Sequence, residues 1–92
     1  MGQVKRLSQT ACFKRDLKRM QKRGKNISRL KEIVGRLANG EYLDPKHRDH
    51  ALSGNWSGTR DCHIEPDWVL IYSITEDSLR LERTGSHSDL FD

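Results

Sequence analysis

The stretch Thr59–Gly85, TRDCHIEPDWVLIYSITEDSLRLERTG, decides the fold. It reads as three strands joined by two short turns. Thr59 to Glu65 alternates, with Cys62 and Ile64 on one face and Asp61, His63 and Glu65 on the other. Glu65-Pro66-Asp67 turns the chain, and Trp68 to Thr75, WVLIYSIT, is apolar on both faces, as a central strand must be. Glu76-Asp77 makes the next turn. Leu79 to Gly85 then returns with Leu79, Leu81, Arg83 and Gly85 on one face and Arg80, Glu82 and Thr84 on the other. Arg83 thereby continues an apolar face, where its guanidinium requires a partner or an anion, because burying an unpaired charge is costly. If the strand persists, His87 extends the same alternation.

Upstream of this meander lies a helical hairpin. Gln9 to Arg23 has Phe13, Leu17 and Met20 at helical spacing, with Thr10 as its cap and Gly24 as its end. Its other faces carry Lys14, Arg15, Lys18, Arg19, Lys22 and Arg23. A second helix runs from Asn26 or Ile27 to Ala38 with a buried stripe of Ile27, Leu30, Ile33, Val34 and Leu37, closed by Asn39-Gly40. Val4 to Ser8 is a short edge strand. Glu41 to Gly58 has little periodicity and reads as a long connection that Trp56 tethers to the body. The order strand, helix, helix, loop and antiparallel meander predicts one α+β domain over residues 1–92, with the helices on one sheet face and the other face free for a site.

Composition narrows the function. No stretch approaches the ~20 apolar residues of a membrane span, and the N-terminus lacks a signal-peptide core, so a cytoplasmic protein is expected. Two cysteines make no disulfide framework, which favours a reducing compartment. The net charge of +4 conceals a pole. Through Arg36, twelve Lys or Arg against Asp16 and Glu32 leave +10; beyond it, five against eleven leave −6. A basic pole of this size attracts phosphate-rich polymers.

His50, His63, Asp67, Arg83 and His87 are the residues to gather around one reaction centre. Cleavage of RNA by its own 2′-hydroxyl needs a base, an acid for the leaving 5′-oxygen and positive charge for the phosphate, which imidazoles and arginine supply. Each also has a plainer role: a loop histidine is commonly a surface residue, Asp67 fits a turn stabiliser or a partner for Arg60, and Phe91 fits a C-terminal staple. Zinc is disfavoured, because Cys62 and His63 point to opposite faces of a strand. Neither a metal nor another cofactor is expected.

Asp49-His50, WxGxRDxHxEPDWxLIY from Trp56 to Tyr72 and ERTGxHxxLF from Glu82 to Phe91 occur together and in order. In these blocks, and over nearly its whole length, the chain closely resembles the YafQ branch of the RelE/ParE toxin superfamily. The resemblance implies a toxin of a bacterial type II toxin–antitoxin pair: a ribosome-dependent endoribonuclease that cleaves mRNA in the A site and is silenced by a DinJ-like antitoxin. It implies His50, His63, Asp67 and His87 as the acid–base set, Arg83 at the phosphate, and Trp68 and Phe91 lining or shaping the site. Lys14, Lys18, Arg19, Lys22 and Arg23 are then the ribosomal RNA docking residues. Ala51 and Ser57 depart from YafQ, which has Pro and Lys there, so codon preference stays open. The ParE branch, whose members poison DNA gyrase by binding, is the alternative, although a pure binder has no need of the acid–base set.

Overall fold

The computed structural model describes residues 5–91. In chain order it contains β1 (Arg6–Gln9), α1 (Ala11–Lys22), α2 (Ile27–Ala38), β2 (His50–Ala51), β3 (Arg60–Glu65), β4 (Trp68–Ile74), β5 (Ser78–Gly85) and α3 (His87–Phe91), with single 3-10 turns at Pro45–His47 and Gly54–Trp56. The fold is α+β, and the expected meander forms the middle of a larger sheet. Five strands lie in the order β1-β5-β4-β3-β2, with β1 parallel to β5 and the rest antiparallel.

Both helix starts are set by side chains. Thr10 Oγ1 accepts the Phe13 amide at 2.9 Å and donates to the Glu82 carbonyl at 2.7 Å, so the cap of α1 is also tied to β5. Asn26 Oδ1 accepts the Ser28 amide at 3.0 Å. Gly24, with φ of +80°, takes the left-handed conformation that ends α1. The apolar stripes then meet the sheet: Phe13 and Met20 of α1 and Leu30, Ile33, Val34 and Leu37 of α2 pack against Cys62, Ile64, Trp68, Leu70, Tyr72, Leu79 and Leu81. All of these are buried.

Four expectations change. The edge strand is Arg6–Gln9 rather than Val4 to Ser8, and Val4 lies outside the described residues. The connection from Glu41 to Gly58 contains β2 and both 3-10 turns, and Trp56 packs as a tether against the cluster of Val69, Ile71 and Leu90. His87 opens α3 rather than extending β5. Its turn is set by a reciprocal cap: the Ser86 amide donates to Asp89 Oδ2 at 2.9 Å, and the Asp89 amide donates to Ser86 Oγ at 3.1 Å.

The fourth change concerns which way side chains point. Tyr72 pairs with Leu81 but Ile71 pairs with Arg83, so Glu82 is an extra residue in β5. Leu79 and Leu81 therefore face the helices, while Arg83 and Gly85 face away. A second irregularity lies in β3, where His63 pairs with Val69 and Glu65 with Trp68, leaving Ile64 unpaired. It separates Glu65 from Asp61 and His63. Glu65 turns to the helix side, where it accepts from Lys25 Nζ at 3.0 Å and Arg29 Nη1 at 3.2 Å.

Candidate active site

Cross-strand register assembles the sheet face opposite α1 and α2. His50 pairs with Asp61, Asp61 with Ile71, and Ile71 with Arg83, which makes one row across four strands. The next row is His63, Val69 and Gly85. Helix α3 closes one end, because Leu90 packs on Val69 and Ile71 and brings His87 and Phe91 over the second row.

The rings converge there. His63 and His87 have centroids 5.2 Å apart, and His87 and Phe91 5.8 Å. Asp67, in the β3–β4 turn, accepts the His87 amide on Oδ1 at 3.2 Å, and His87 Nδ1 lies 3.3 Å from the same oxygen. That amide, followed by the ring, holds the Asp67 carboxyl below the usual carboxylate range.

The partners assign tautomers. His50 Nδ1 lies 2.7 Å from the Arg48 carbonyl, and His63 Nδ1 lies 3.2 Å from the Pro66 carbonyl. A carbonyl only accepts, so each Nδ1 carries the proton when the ring is neutral and Nε2 is left as the basic atom. His50 Nδ1 and His87 Nδ1 each also lie near a carboxylate oxygen, Asp61 Oδ1 at 3.1 Å and Asp67 Oδ1 at 3.3 Å. Arg48 holds its carbonyl toward His50 in a left-handed conformation with φ of 48°. Asp49, next to it, anchors the segment from the other side by accepting Tyr72 Oη at 2.7 Å and Arg60 Nε at 3.1 Å.

The remaining candidates are placed as follows. Arg83 is paired, although it does not continue the face of Leu79 and Leu81: Nε and Nη2 donate to Asp16 Oδ2 and Oδ1 of α1 at 2.7 and 3.0 Å. Its Nη1 makes no hydrogen bond among the described residues. Phe91 is 40% exposed beside His87. Trp68 does not line the site: it is 0% exposed, with Nε1 donating to Thr84 Oγ1 at 2.9 Å. It shapes β5 from the helix side. Asp67 does not pair with Arg60, which is held by Asp49. Cys62 faces the helix-side core, apart from the imidazoles. Of the basic residues on α1 and at its C-cap, Lys14, Lys18, Arg19, Lys22 and Arg23 are all exposed, but Arg23 is already engaged by Asp89 at 2.6 Å and Arg19 approaches it at 3.9 Å.

Reading by residue type missed three carboxylates: Asp16, Asp89 and Asp61. Only Asp61 carried a sequence signal, since it lies two residues from His63 on the same strand face. The imidazoles stand on an open face rather than in a closed pocket. A cleft of about 590 Å³ lies beside them between α2 and the Pro45–His47 turn, and it touches His63.

Known proteins share this fold and much of this sequence. Residues 5–92 match the family described as bacterial toxin of type II toxin-antitoxin system, YafQ. The chain is 46% identical over 80 residues to the mRNA interferase toxin YafQ of Escherichia coli K12, covering 86% of this chain and 87% of that protein. It is 38% identical over 90 residues to a putative toxin YafQ of Haemophilus influenzae, covering 90% and 88%. The crystal structure of the E. coli DinJ–YafQ complex contains a chain that superposes with a TM-score of 0.89 at 42% identity, over 96% of this chain and 99% of that one.

Proposed function

Because this chain belongs to the YafQ family of bacterial type II toxin–antitoxin toxins, we propose that it is an endoribonuclease that cleaves mRNA on the ribosome and is held inactive by a DinJ-like antitoxin. The observation that carries the reading is the pairing of His87 with Asp67 at 3.3 Å, beside His63 at 5.2 Å between ring centroids. His63, with Nδ1 on a carbonyl, keeps Nε2 free to take a proton, and His87 stands beside it with Nδ1 on a carboxylate.

His50 or His63 removes the 2′-hydroxyl proton through Nε2. The 2′-oxygen attacks phosphorus, the bond to the 5′-oxygen breaks, and His87 Nε2 delivers its proton to that leaving oxygen. The products are a 2′,3′-cyclic phosphate and a 5′-hydroxyl. Arg83, oriented by Asp16, presents Nη1 to the phosphate as charge builds on it. Phe91, exposed beside the acid, offers a face on which a base can stack.

An open face of this kind does not hold a flexible strand in line by itself. The basic surface of α1 supports docking on ribosomal RNA, which would present the message to the imidazoles. The same surface suits an acidic antitoxin segment. Purified ribosomes translating a defined message, with and without the protein, test the reading by primer extension. New 5′ ends within the A-site codon are expected. Intact messages overturn it, and DNA damage without message cleavage on induction in cells would favour the gyrase-binding alternative.

A further inference from the structure

Asp61 is an ionisable group at the site that the mechanism above leaves idle. It is 3% exposed, and its Oδ1 is fully buried with no aligned hydrogen bond among the described residues. Folding does not normally leave a carboxylate so placed, because desolvating it without donors is costly. The atom nearest to donating is His50 Nδ1, 3.1 Å from Oδ1, but its N–H is aligned with the Arg48 carbonyl at 2.7 Å. The carboxyl is also within electrostatic reach of His63 on its own strand, His87 on α3 and Asp49 in the preceding loop.

We propose that Asp61 is a positioning residue for the base: it lies beneath His50, shares the Nδ1 proton with the Arg48 carbonyl, and stabilises the imidazolium formed when Nε2 takes the 2′-hydroxyl proton. This rests on the ribonuclease reading above. The arrangement is that of a base oriented by a third group, a buried carboxylate against a half-exposed ring. In the resting state Asp61 has no aligned donor; once His50 is charged, the carboxylate and the imidazolium compensate each other. Burial pushes the Asp61 carboxyl up, and the three imidazoles oppose that shift, so protonation of any of them helps to keep it ionised.

Substitution separates this role from a structural one. Asp61→Asn keeps the shape and removes a buried charge that lacks donors, so its melting temperature should equal or exceed that of the wild type. A carboxylate whose job was to hold the fold would lose stability on the same change. Cleavage of ribosome-bound message by Asp61→Asn should fall at least tenfold at neutral pH, and the acid limb of its pH–rate profile should move to lower pH. The imidazole titration of His50, followed by NMR, should move the same way, and Asp61→Glu, which keeps the charge, should restore its position. In a His50→Gln background the effect of Asp61→Asn should shrink. An unchanged His50 titration, or a rate loss that merely tracks a lower melting temperature, overturns the proposal. The NMR readout does not need activity, so wild-type protein that fails to cut would sink the ribonuclease reading while the titration still decides the role of Asp61.

Discussion

Arg23 and Asp89, 66 residues apart, form a two-pronged ion pair: Arg23 Nη1 donates to Asp89 Oδ2 at 2.6 Å and Nη2 to Oδ1 at 3.1 Å. The pair joins the end of α1 to the short helix that carries His87 and Phe91. A five-residue helix has little stability of its own. Its position therefore depends on this contact, on the cap between Ser86 and Asp89, and on Leu90.

Asp89→Ala removes the cap and the ion pair together. The lost cap costs about 1 kcal/mol, and because α3 is only five residues long, most of that should appear as local opening. Cleavage is expected to fall more than tenfold with a small change in melting temperature. Hydrogen exchange at the α3 amides checks the cause, and protection equal to wild type would refute it.

Gly85→Ala attacks the same contact from β5. A Cβ at Gly85 would lie 2.9 Å from both Cβ and Oδ2 of Asp89, so α3 must shift to admit it. Overpacking of this kind costs about 1–3 kcal/mol. Thermal unfolding and the cleavage assay should both register the change, with activity falling further than stability.

Asp16→Asn leaves Arg83 without its charged partner and weakens the acceptor of the Thr84 amide, now bonded at 3.2 Å. Asp16 is buried, and breaking such a pair is expected to cost about 2–4 kcal/mol. Urea unfolding measures it. Activity should fall as well, because Arg83 loses the contact that aims it.

Acid stability should reveal two carboxylates of opposite sign. The Arg23 guanidinium, then the Ser86 amide, hold Asp89 far below the usual carboxylate range. A depressed folded pKa contributes stability that is complete above the unfolded value of about 3.9 and is lost as the pH falls below it. Asp61 is shifted upward by burial, so it opposes folding when ionised, and that opposition fades as the pH falls through its titration. Unfolding midpoints between pH 3 and 7 should therefore lose part of their acid sensitivity in Asp89→Asn and gain acid sensitivity in Asp61→Asn.

Charge removal on α1 should act on docking rather than chemistry. Lys14, Lys18 and Lys22 are exposed and make no ion pair among the described residues. Changing all three to Gln should weaken ribosome binding and flatten its dependence on salt, with little effect on folding. An unaltered salt slope would remove this face from the docking surface.

Much of this was legible in the chain. Phe13, Leu17 and Met20 mark a helix whatever surrounds them, Thr10 caps it through atoms three residues away, and WVLIYSIT reads as a central strand because both of its faces are apolar. These signals are local, so sequence spacing carries them. The two histidines of β2 and β3, the turn aspartate and His87 were legible as well, because proton-transfer groups are unusual beside a core strand.

What tertiary structure alone decided was the direction in which those groups point and what they touch. The extra residue at Glu82 reverses the alternation of β5 and sends Arg83 to the imidazole face, although strict period-two reading put it beside Leu79 and Leu81. No residue type announces such a bulge. The pairs of Arg83 with Asp16 and Arg23 with Asp89 close loops of 67 and 66 residues, and the orphaned oxygen of Asp61 exists only once β2 and β4 have covered β3. Charge and burial at these positions depend on neighbours distant in the chain, and the sheet brings them together.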